Sequence, residues 1–394
     1  MPTPLTPRRA ACTTLSPHPT QEHVLSATPL RNDDVRDLSI WGYALGYFVA
    51  YAPYSALTKA LSGGALPGMR EGISGFTLLP VSTAASLVGM FAFLTWMRWW
   101  RYAGHRQVWG FQVPAPGQWT LLSGLCSAAI IGTTTLAYTL PGASIVFMML
   151  LMRGGVLVLA PLVDVLSGRR VRWPSWVALG LSFSAVAVAA GSSVSPTLTL
   201  LATVDVGVYL AAYFFRLRAM SQLAKSGERE VSIRYFVEEQ MVATPVLVGT
   251  LAVLALIGGD GVLGDIRDGF TGALSRGHLV SEIAVGLLSQ ATGIFGGLIL
   301  LDGRENAFCV PVNRASSVLA GVVATVVMSV TLGQPGAGAL ELVGAALVVA
   351  AMAVLAVPTV LAARRKAGSR PLPGGSRPRA VRRVRATYAR TDGW

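Results

Sequence analysis

Residues 147–166 read FMMLLMRGGVLVLAPLVDVL, an apolar stretch interrupted by one arginine, Arg153. The surrounding Met, Leu, Val and Ala residues are typical of a helix that lies in lipid. An arginine at the centre of such a helix opposes insertion by about 2.5–3.5 kcal/mol. A residue that is this unfavourable needs a compensating role, so Arg153 is a candidate functional residue.

The whole chain has the composition of a membrane protein. Of its 394 residues, 53% are hydrophobic and only 13% are charged, whereas a soluble domain has about 25% charged residues. Apolar runs of roughly 20 residues recur, and each can cross a bilayer core of about 30 Å. Gly- and Pro-containing turns separate them. The pattern predicts ten spans, near 41–62, 76–97, 118–139, 143–166, 174–192, 198–216, 235–258, 280–301, 304–330 and 338–362.

The Lys and Arg residues predict the orientation of these spans. One side of a ten-span protein would hold 26 of the 32, and the other side would hold three, Arg70, Arg267 and Arg276. Positive residues concentrate on the cytoplasmic side. We therefore expect a multi-pass protein of the cell membrane with both termini in the cytoplasm. Residues 1–40 would form a disordered cytoplasmic extension, and residues 363–394 a basic cytoplasmic tail.

Arg153 has a counterpart at a fixed distance along the chain. The segment GTTTLAYTLPGASIVFMMLLMRGG, from Gly132, aligns with GIFGGLILLDGRENAFCVPVNRAS, from Gly293, so that Arg153 matches Arg314 at an offset of 161. Because each half would contain five helices, the second half enters the membrane upside down. The predicted fold is an all-α membrane protein with ten transmembrane helices, arranged as two inverted five-helix repeats, 41–192 and 198–362.

Matching tyrosines in the two halves predict a shared cavity. Tyr47 and Tyr51 of the first span correspond to Tyr209 and Tyr213 of the sixth, at an offset of 162. A spacing of four places each pair on one helix face. Inverted repeats bind their substrates between the halves, near the membrane midplane. We therefore expect both arginines and both tyrosine faces to line one central site.

Other polar residues in the predicted spans are candidates for the same site. Lys59, Gln290 and Asn313 are candidate substrate ligands. Asp205 and Glu239 are candidates for the resting charge partner of the arginines, or for a coupled proton. Each has a structural alternative. Lys59 could extend to the membrane surface, the two amides could join helices by hydrogen bonds, and either carboxylate could hold an arginine in a purely structural ion pair.

The cysteine and aspartate patterns predict neither a disulfide framework nor a metal site. Cys12, Cys126 and Cys309 are scattered along the chain. The stretch GGDGVLGDIRDGFTGALSRG, residues 258–277, contains three aspartates, but their spacing does not match a calcium-binding loop. We therefore expect this stretch to be a plain solvated loop on the external side.

Two segments resemble the drug/metabolite transporter superfamily, in particular its EamA-type members. VTLGQPGAGALELVGAALVVAAMAVLA, 330–356, is similar to the family's closing turn, connector and Gly-containing last helix, and LSGRRVRWPSWVALGLSFSAVAVAAG, 166–191, is similar to the same pattern in the first half. The family often has an acidic residue after the turn glycine, where this chain has Arg169 and Gln334. The resemblance covers roughly residues 40–362. It implies a secondary carrier that alternates between inward-open and outward-open states, without an ATP site.

The predicted function is secondary-active transport of a small organic anion, phosphorylated or carboxylated, because two guanidiniums suit bidentate recognition of such groups. An exporter of amino acids or drugs is the close alternative. A channel, a lipid scramblase and an intramembrane enzyme are further alternatives. YFVEE, 235–239, is similar to the paired glutamates of some membrane proteases, but no predicted span contains a histidine. We expect no enzymatic activity, and we expect no cofactor, metal or nucleic acid to bind. The expected partners are a small-molecule substrate and the lipid bilayer. The sequence leaves a homodimer open.

The charge distribution provides a test of orientation. Reporter fusions at residue 105 and after residue 365 should both report the cytoplasm, because both positions lie on the side rich in Lys and Arg. A fusion within 258–277 is the control and should report the outside. The measurement is the activity of a compartment-specific reporter enzyme at each position. An external signal at either of the first two positions would contradict the inverted repeat.

Overall fold

The computed structural model describes residues 32–69, 71–108, 111–140, 145–166, 173–190, 196–224, 229–302 and 306–368. Helices dominate these ranges, which contain eleven α-helices: α1 (Asn32–Ser62), α2 (Gly75–Trp96), α3 (Gln118–Thr139), α4 (Ile145–Leu166), α5 (Trp173–Ala190), α6 (Pro196–Leu223), α7 (Arg229–Ile257), α8 (Val262–Thr271), α9 (Leu279–Leu300), α10 (Asn306–Leu332) and α11 (Ala339–Gly368). Six of the described helices, α2, α3, α6, α7, α9 and α10, are long and apolar enough to cross a membrane. The chain is an all-α, membrane-embedded protein.

The chain divides into two compact units, residues 1–39 and residues 40–394. Of the first unit, the structure describes only the beginning of α1. The predicted extension 1–40 therefore lies almost entirely outside the described residues, and so does the predicted tail from residue 369 onward.

A long helix lies at each of the ten predicted span positions, although several ends differ. The sixth helix, α6, continues beyond the predicted end at residue 216, because Leu217 and Met220 lie three residues apart on a buried face and extend the packed surface. α7 likewise begins at Arg229, six residues before the predicted start. The hydropathy pattern therefore located the long helices, and packing of residues beyond the apolar segment sets the end of α6.

The prediction of a plain loop at 258–277 is wrong, because α8 lies within this stretch. Gly258, Gly259 and Gly261 adopt positive φ and turn the chain between α7 and α8. Ile266 and Gly269, three residues apart, are buried on one face of α8. That face packs against α2. The amphipathic spacing of this short segment therefore forms a helix on the surface of the bundle.

The segment between α2 and α3 is also structured. It contains a short 3-10 helix (Trp99–Tyr102) and an antiparallel hairpin of β1 (His105–Val108) and β2 (Phe111–Pro114). These strands were not predicted from the sequence. We call this segment, residues 98–117, the hairpin loop.

A buried carboxylate on α7 fastens the hairpin loop to the bundle. Glu238 accepts hydrogen bonds from the backbone N–H groups of Gly104 and Gly117, at 3.0 and 3.1 Å. It also accepts bonds from Thr120 Oγ1 at 2.8 Å and from Arg234 Nε at 2.7 Å. Because these donors satisfy both carboxylate oxygens, Glu238 is accommodated at 3% exposure.

Two glycines, 162 residues apart, mark close helix crossings in the core. Gly124 of α3 lies against α7 at Val242, and Gly286 of α9 lies against α2 at Ser82; at both positions a Cβ atom would overlap the neighbouring helix. Ser86 of α2 donates a hydrogen bond to the carbonyl of Gly286 at 2.6 Å. Small residues of this kind allow helix backbones to approach closely in membranes.

We expect Gly286→Ala to destabilise the fold by about 1–3 kcal/mol, because the added methyl group would overlap the backbone of α2. Gly249→Ala is the matched control: Gly249 in α7 has open space at its Cβ position, and alanine favours a helix by up to about 1 kcal/mol. Thermal unfolding in detergent measures both variants. A melting temperature of Gly286→Ala equal to that of the wild type would contradict the close crossing.

Candidate functional site

A polar cavity of about 90 Å³ lies among the helices of the second unit. Its walls combine aromatic hydroxyl groups, guanidinium groups and side-chain amides, which is an unusual set of groups for the inside of an apolar bundle. The polar lining includes Tyr47, Tyr51, Tyr54, Arg153, Tyr213, Arg216, Gln240, Gln290 and Asn313. The residues that the sequence analysis assigned to one central site therefore largely meet at one place.

Arg153 of α4 lies at the wall of the cavity and is 2% exposed. Its Nη1 donates a hydrogen bond to the Tyr209 hydroxyl at 2.5 Å, and its Nη2 donates to the Tyr51 hydroxyl. Its guanidinium carbon lies 5.2 Å from the centre of the Tyr51 ring and 5.6 Å from that of Tyr209. Its Nε has no hydrogen-bond partner. The arginine is thus held by phenol groups and by no carboxylate of the described residues.

Arg314 of α10 lies directly behind the cavity wall and is completely buried. Its Nη1 lies 3.4 Å from the Tyr209 hydroxyl, and its guanidinium carbon lies 4.6 Å from the centre of the Tyr213 ring. Its Nε and Nη2 have no hydrogen-bond partner. Arg314 therefore has two unused donor atoms next to the cavity-lining residue Tyr213.

The two arginines share one hydroxyl oxygen. Because both Nη1 atoms approach Tyr209 Oη, they are no more than about 6 Å apart, where two unit charges repel by about 3 kcal/mol at an effective dielectric constant of about 20. Guanidiniums remain protonated inside proteins. The site thus concentrates positive charge, and among the described residues only dipoles compensate it.

The tyrosine stripe of α1 forms the adjoining wall. Tyr47, Tyr51 and Tyr54 lie on one helix face and pack ring to ring, with centroids 5.1 and 5.6 Å apart. The Tyr51 hydroxyl pairs with the Tyr138 hydroxyl of α3 at 2.7 Å, and Tyr54 pairs with Thr135 at 2.9 Å. The phenols of Tyr51 and Tyr54 therefore each have a polar partner, which fixes their direction.

A third arginine is neutralised by a carboxylate. Arg216 of α6 donates from Nε and Nη2 to the two oxygens of Glu239, at 2.7 and 2.9 Å. Ser123 and Ser127 of α3 donate to the same carboxylate at 2.6 and 2.9 Å. Both partners of the ion pair are buried. This bidentate pair joins α3, α6 and α7 at the edge of the cavity.

This pairing corrects two points of the sequence analysis. Glu239 binds Arg216 and forms no ion pair with Arg153 or Arg314, because α7 directs its carboxylate towards α6. Arg216 itself was not among the candidate residues and lies at the predicted end of the sixth span, whereas α6 continues past it and carries it into the buried region. Its position three residues after Tyr213, on the same helix face, was the signal that could have assigned it to the site.

Asp205 is half-buried on α6, and its Oδ2 has no hydrogen-bond partner. It forms no ion pair with Arg153 or Arg314 in the described part of the chain, and it is not among the residues that line the cavity. The predicted resting partnership with the arginines is therefore not formed in this structure. Its role in proton coupling stays a prediction.

The remaining candidates differ in position. Lys59 lies outside the cavity lining, and its Nζ donates to the carbonyl of Leu140 at 3.2 Å. Gln290 and Asn313 line the cavity. Gln290 donates to Gln240 at 3.4 Å, whereas Asn313 Oδ1 has no partner. The two amides therefore belong to the candidate site, whereas Lys59 is not part of the cavity lining.

Comparisons with known proteins do not assign this site. No protein family matches the chain, and no curated protein matches it. One solved structure, described only as a crystal structure of a protein, matches 80% of this chain and 99% of its own chain, with 16% sequence identity and a TM-score of 0.45. A similarity of that size supports no argument about function. Among the described residues, no group of His, Cys, Asp and Glu side chains could hold a metal ion.

Removal of the Glu239 charge should destabilise the protein. We expect Glu239→Gln to cost about 3–5 kcal/mol, because Arg216 would remain as a buried cation without its carboxylate. The double variant Arg216→Met with Glu239→Leu should regain part of this loss, since neither charge would then be buried. Thermal unfolding of the wild type and both variants measures the difference. If the double variant unfolded at the same temperature as the single one, charge balance would not explain the loss.

Proposed function

We propose that this protein is a secondary-active transporter of a small organic anion that works by alternating access. The observation that carries the proposal is the pair of buried arginines that lack a carboxylate partner among the described residues. A substrate with negative charge would supply the missing counter-charge, and the free donor atoms of Arg153 and Arg314 would bind its oxygens. The proposed substrate-binding residues are Arg153, Arg314, Tyr47, Tyr51, Tyr209, Tyr213, Gln290 and Asn313.

The contacts of the two arginines support the proposed inverted repeat. The ring of Tyr51 lies beside Arg153, and the ring of Tyr213 lies beside Arg314. The tyrosines are 162 residues apart and the arginines 161. Equivalent side chains thus make equivalent contacts in each half, as a pseudo-two-fold axis through the cavity would require.

The contacts between helices also support the proposed inverted repeat. α2 packs against α9 while α3 packs against α7, and α4 packs against α5 while α10 packs against α11. Under the proposed repeat, α2 corresponds to α7, α3 to α9, α4 to α10 and α5 to α11, so each of these contacts has a counterpart in the other half. The hairpin loop and the α8 segment occupy equivalent places between corresponding helices. We propose ten membrane spans on this basis, namely the six apolar helices together with α1, α4, α5 and α11.

The proposed location is the cell membrane, with both termini in the cytoplasm. The bias of Lys and Arg residues supports this orientation. The resemblance to EamA-type members of the drug/metabolite transporter superfamily agrees with this architecture and remains part of the proposal. An intramembrane protease is disfavoured by the bonding of its two candidate glutamates: Glu238 fastens the hairpin loop, and Glu239 neutralises Arg216.

Transport in proteoliposomes tests the proposed function. We expect saturable uptake of anionic solutes, and we expect Arg153→Lys and Arg314→Lys each to reduce it by about tenfold or more, because lysine keeps the charge but loses the planar donor fork. Arg106→Lys is the matched control, since Arg106 lies exposed on β1 and away from the cavity. Thermal unfolding of the same variants separates a loss of transport from a loss of folding.

The pattern of substrates distinguishes the alternatives. Saturation and exchange of labelled solute across the membrane would exclude a passive pore. Uptake of neutral or zwitterionic solutes with no effect of Arg153→Leu and Arg314→Leu would contradict the anion site and favour an exporter of amino acids or drugs. Lys59→Met should leave transport unchanged, because Lys59 lies outside the cavity lining.

A further inference from the structure

We infer that the cavity is built for a compact dianion, in which two negative charges lie close together. The shared chemistry is that of a phosphate monoester head group or a short dicarboxylate. This inference rests on the proposed function, because it specifies the substrate class of the same site. It excludes monocarboxylates and zwitterionic amino acids as preferred ligands.

The charge balance of the buried region carries the inference. Three arginines, Arg153, Arg216 and Arg314, are each at most 7% exposed. Of the described carboxylates, Glu239 forms an ion pair with one of them, Arg216. Two full positive charges therefore remain next to the cavity. A ligand with one negative charge would leave one buried guanidinium without a counter-charge, which is unfavourable.

Two other groups near the site, Asp205 and Tyr213, could carry a negative charge. Asp205 is half-buried and lies beyond ion-pair distance of both arginines. Tyr213 lies under Arg314 and would supply a charge only as a phenolate. Neither group forms a carboxylate–guanidinium pair, so the dianion remains the occupant that balances the site. Both groups can be removed by single substitutions, which makes the assignment testable.

The geometry requires the two charges to be close together. Arg153 and Arg314 both approach the hydroxyl oxygen of Tyr209 with their Nη1 atoms, at 2.5 and 3.4 Å. The distance between the two Nη1 atoms is therefore at most the sum of these hydrogen-bond lengths. Three arginine nitrogen atoms remain free, Nε of Arg153 and Nε and Nη2 of Arg314. The cavity of about 90 Å³ leaves little space for a spacer between anionic groups. Several oxygens on one atom, or on two atoms separated by a single carbon, meet these conditions, whereas a long dicarboxylate does not.

The experiment is ligand binding to the purified full-length protein, measured by calorimetry in detergent. The probes are inorganic phosphate, sulfate, malonate and acetate at about pH 8 and about pH 5.5, because the second ionisation of phosphate falls between these values. We expect phosphate, sulfate and malonate to bind at the higher pH, and acetate to bind about tenfold more weakly or less. At the lower pH phosphate becomes a monoanion, and its binding should weaken by a similar factor. Sulfate stays a dianion, so its binding should not weaken.

Removal of one arginine provides the second arm. Arg153→Gln and Arg314→Gln each leave one excess charge, so the preference should change from dianions to monoanions. Arg106→Gln on β1 is the control and should keep the dianion preference. Equal binding of phosphate at both pH values, or equal binding of acetate and sulfate to the wild type, would overturn the inference.

Two further variants identify the charge source if the wild type prefers monoanions. A gain of dianion preference in Tyr213→Phe or in Asp205→Asn would show that the protein supplies one charge itself, which overturns the inference. The transport assay separates this inference from the proposed function. Transport of monoanions with no preference for dianions would refute the dianion alone and leave the anion transporter intact. Tight dianion binding without uptake into proteoliposomes would refute transport while supporting the site. Strong binding of malonate but not phosphate would assign the dicarboxylate, and the reverse would assign the phosphoryl group.

Discussion

The structure depends on one constraint: a buried guanidinium keeps its charge and must be compensated by surrounding groups. In lipid, apolar packing gives little preference for one helix arrangement over another, because lipid tails are as apolar as leucine. Polar contacts therefore decide which faces meet. The phenols of α1 and α6 turn towards Arg153 and Arg314, and this draws α1, α4, α6 and α10 around a common centre. The cavity is the consequence of that arrangement.

The same constraint explains the difference between the three buried arginines. Arg216 is neutralised by Glu239, and this carboxylate also accepts hydrogen bonds from two serines. Arg153 and Arg314 are held by phenol oxygens and aromatic faces, which attract a cation more weakly than a carboxylate does. The first arrangement is suited to holding helices together. The second leaves Nε of Arg153 and Nε and Nη2 of Arg314 without a hydrogen-bond partner.

The sequence predicted those features that repeat with a regular period. The spacing of Tyr47 and Tyr51 and the offset between Arg153 and Arg314 are visible without coordinates, because helix periodicity determines which residues share a face. The bond between Arg216 and Glu239 was not predictable in this way. It depends on how α6 and α7 rotate about their axes, and hydropathy placed Arg216 at the boundary of its span. α8 and the hairpin loop were missed because short amphipathic segments take their structure from the surface on which they pack.

The positions of Glu238 and Glu239 have a mechanical consequence. Consecutive residues of an α-helix point in directions about 100° apart, so one turn of α7 holds two different regions of the protein. Glu239 forms the ion pair with Arg216 beside the cavity, and Glu238 accepts hydrogen bonds from the backbone of the hairpin loop. A rotation of α7 large enough to break one set of bonds would distort the other. The hairpin loop and the cavity wall are therefore both attached to a single turn of α7, so a rotation of that turn would move both.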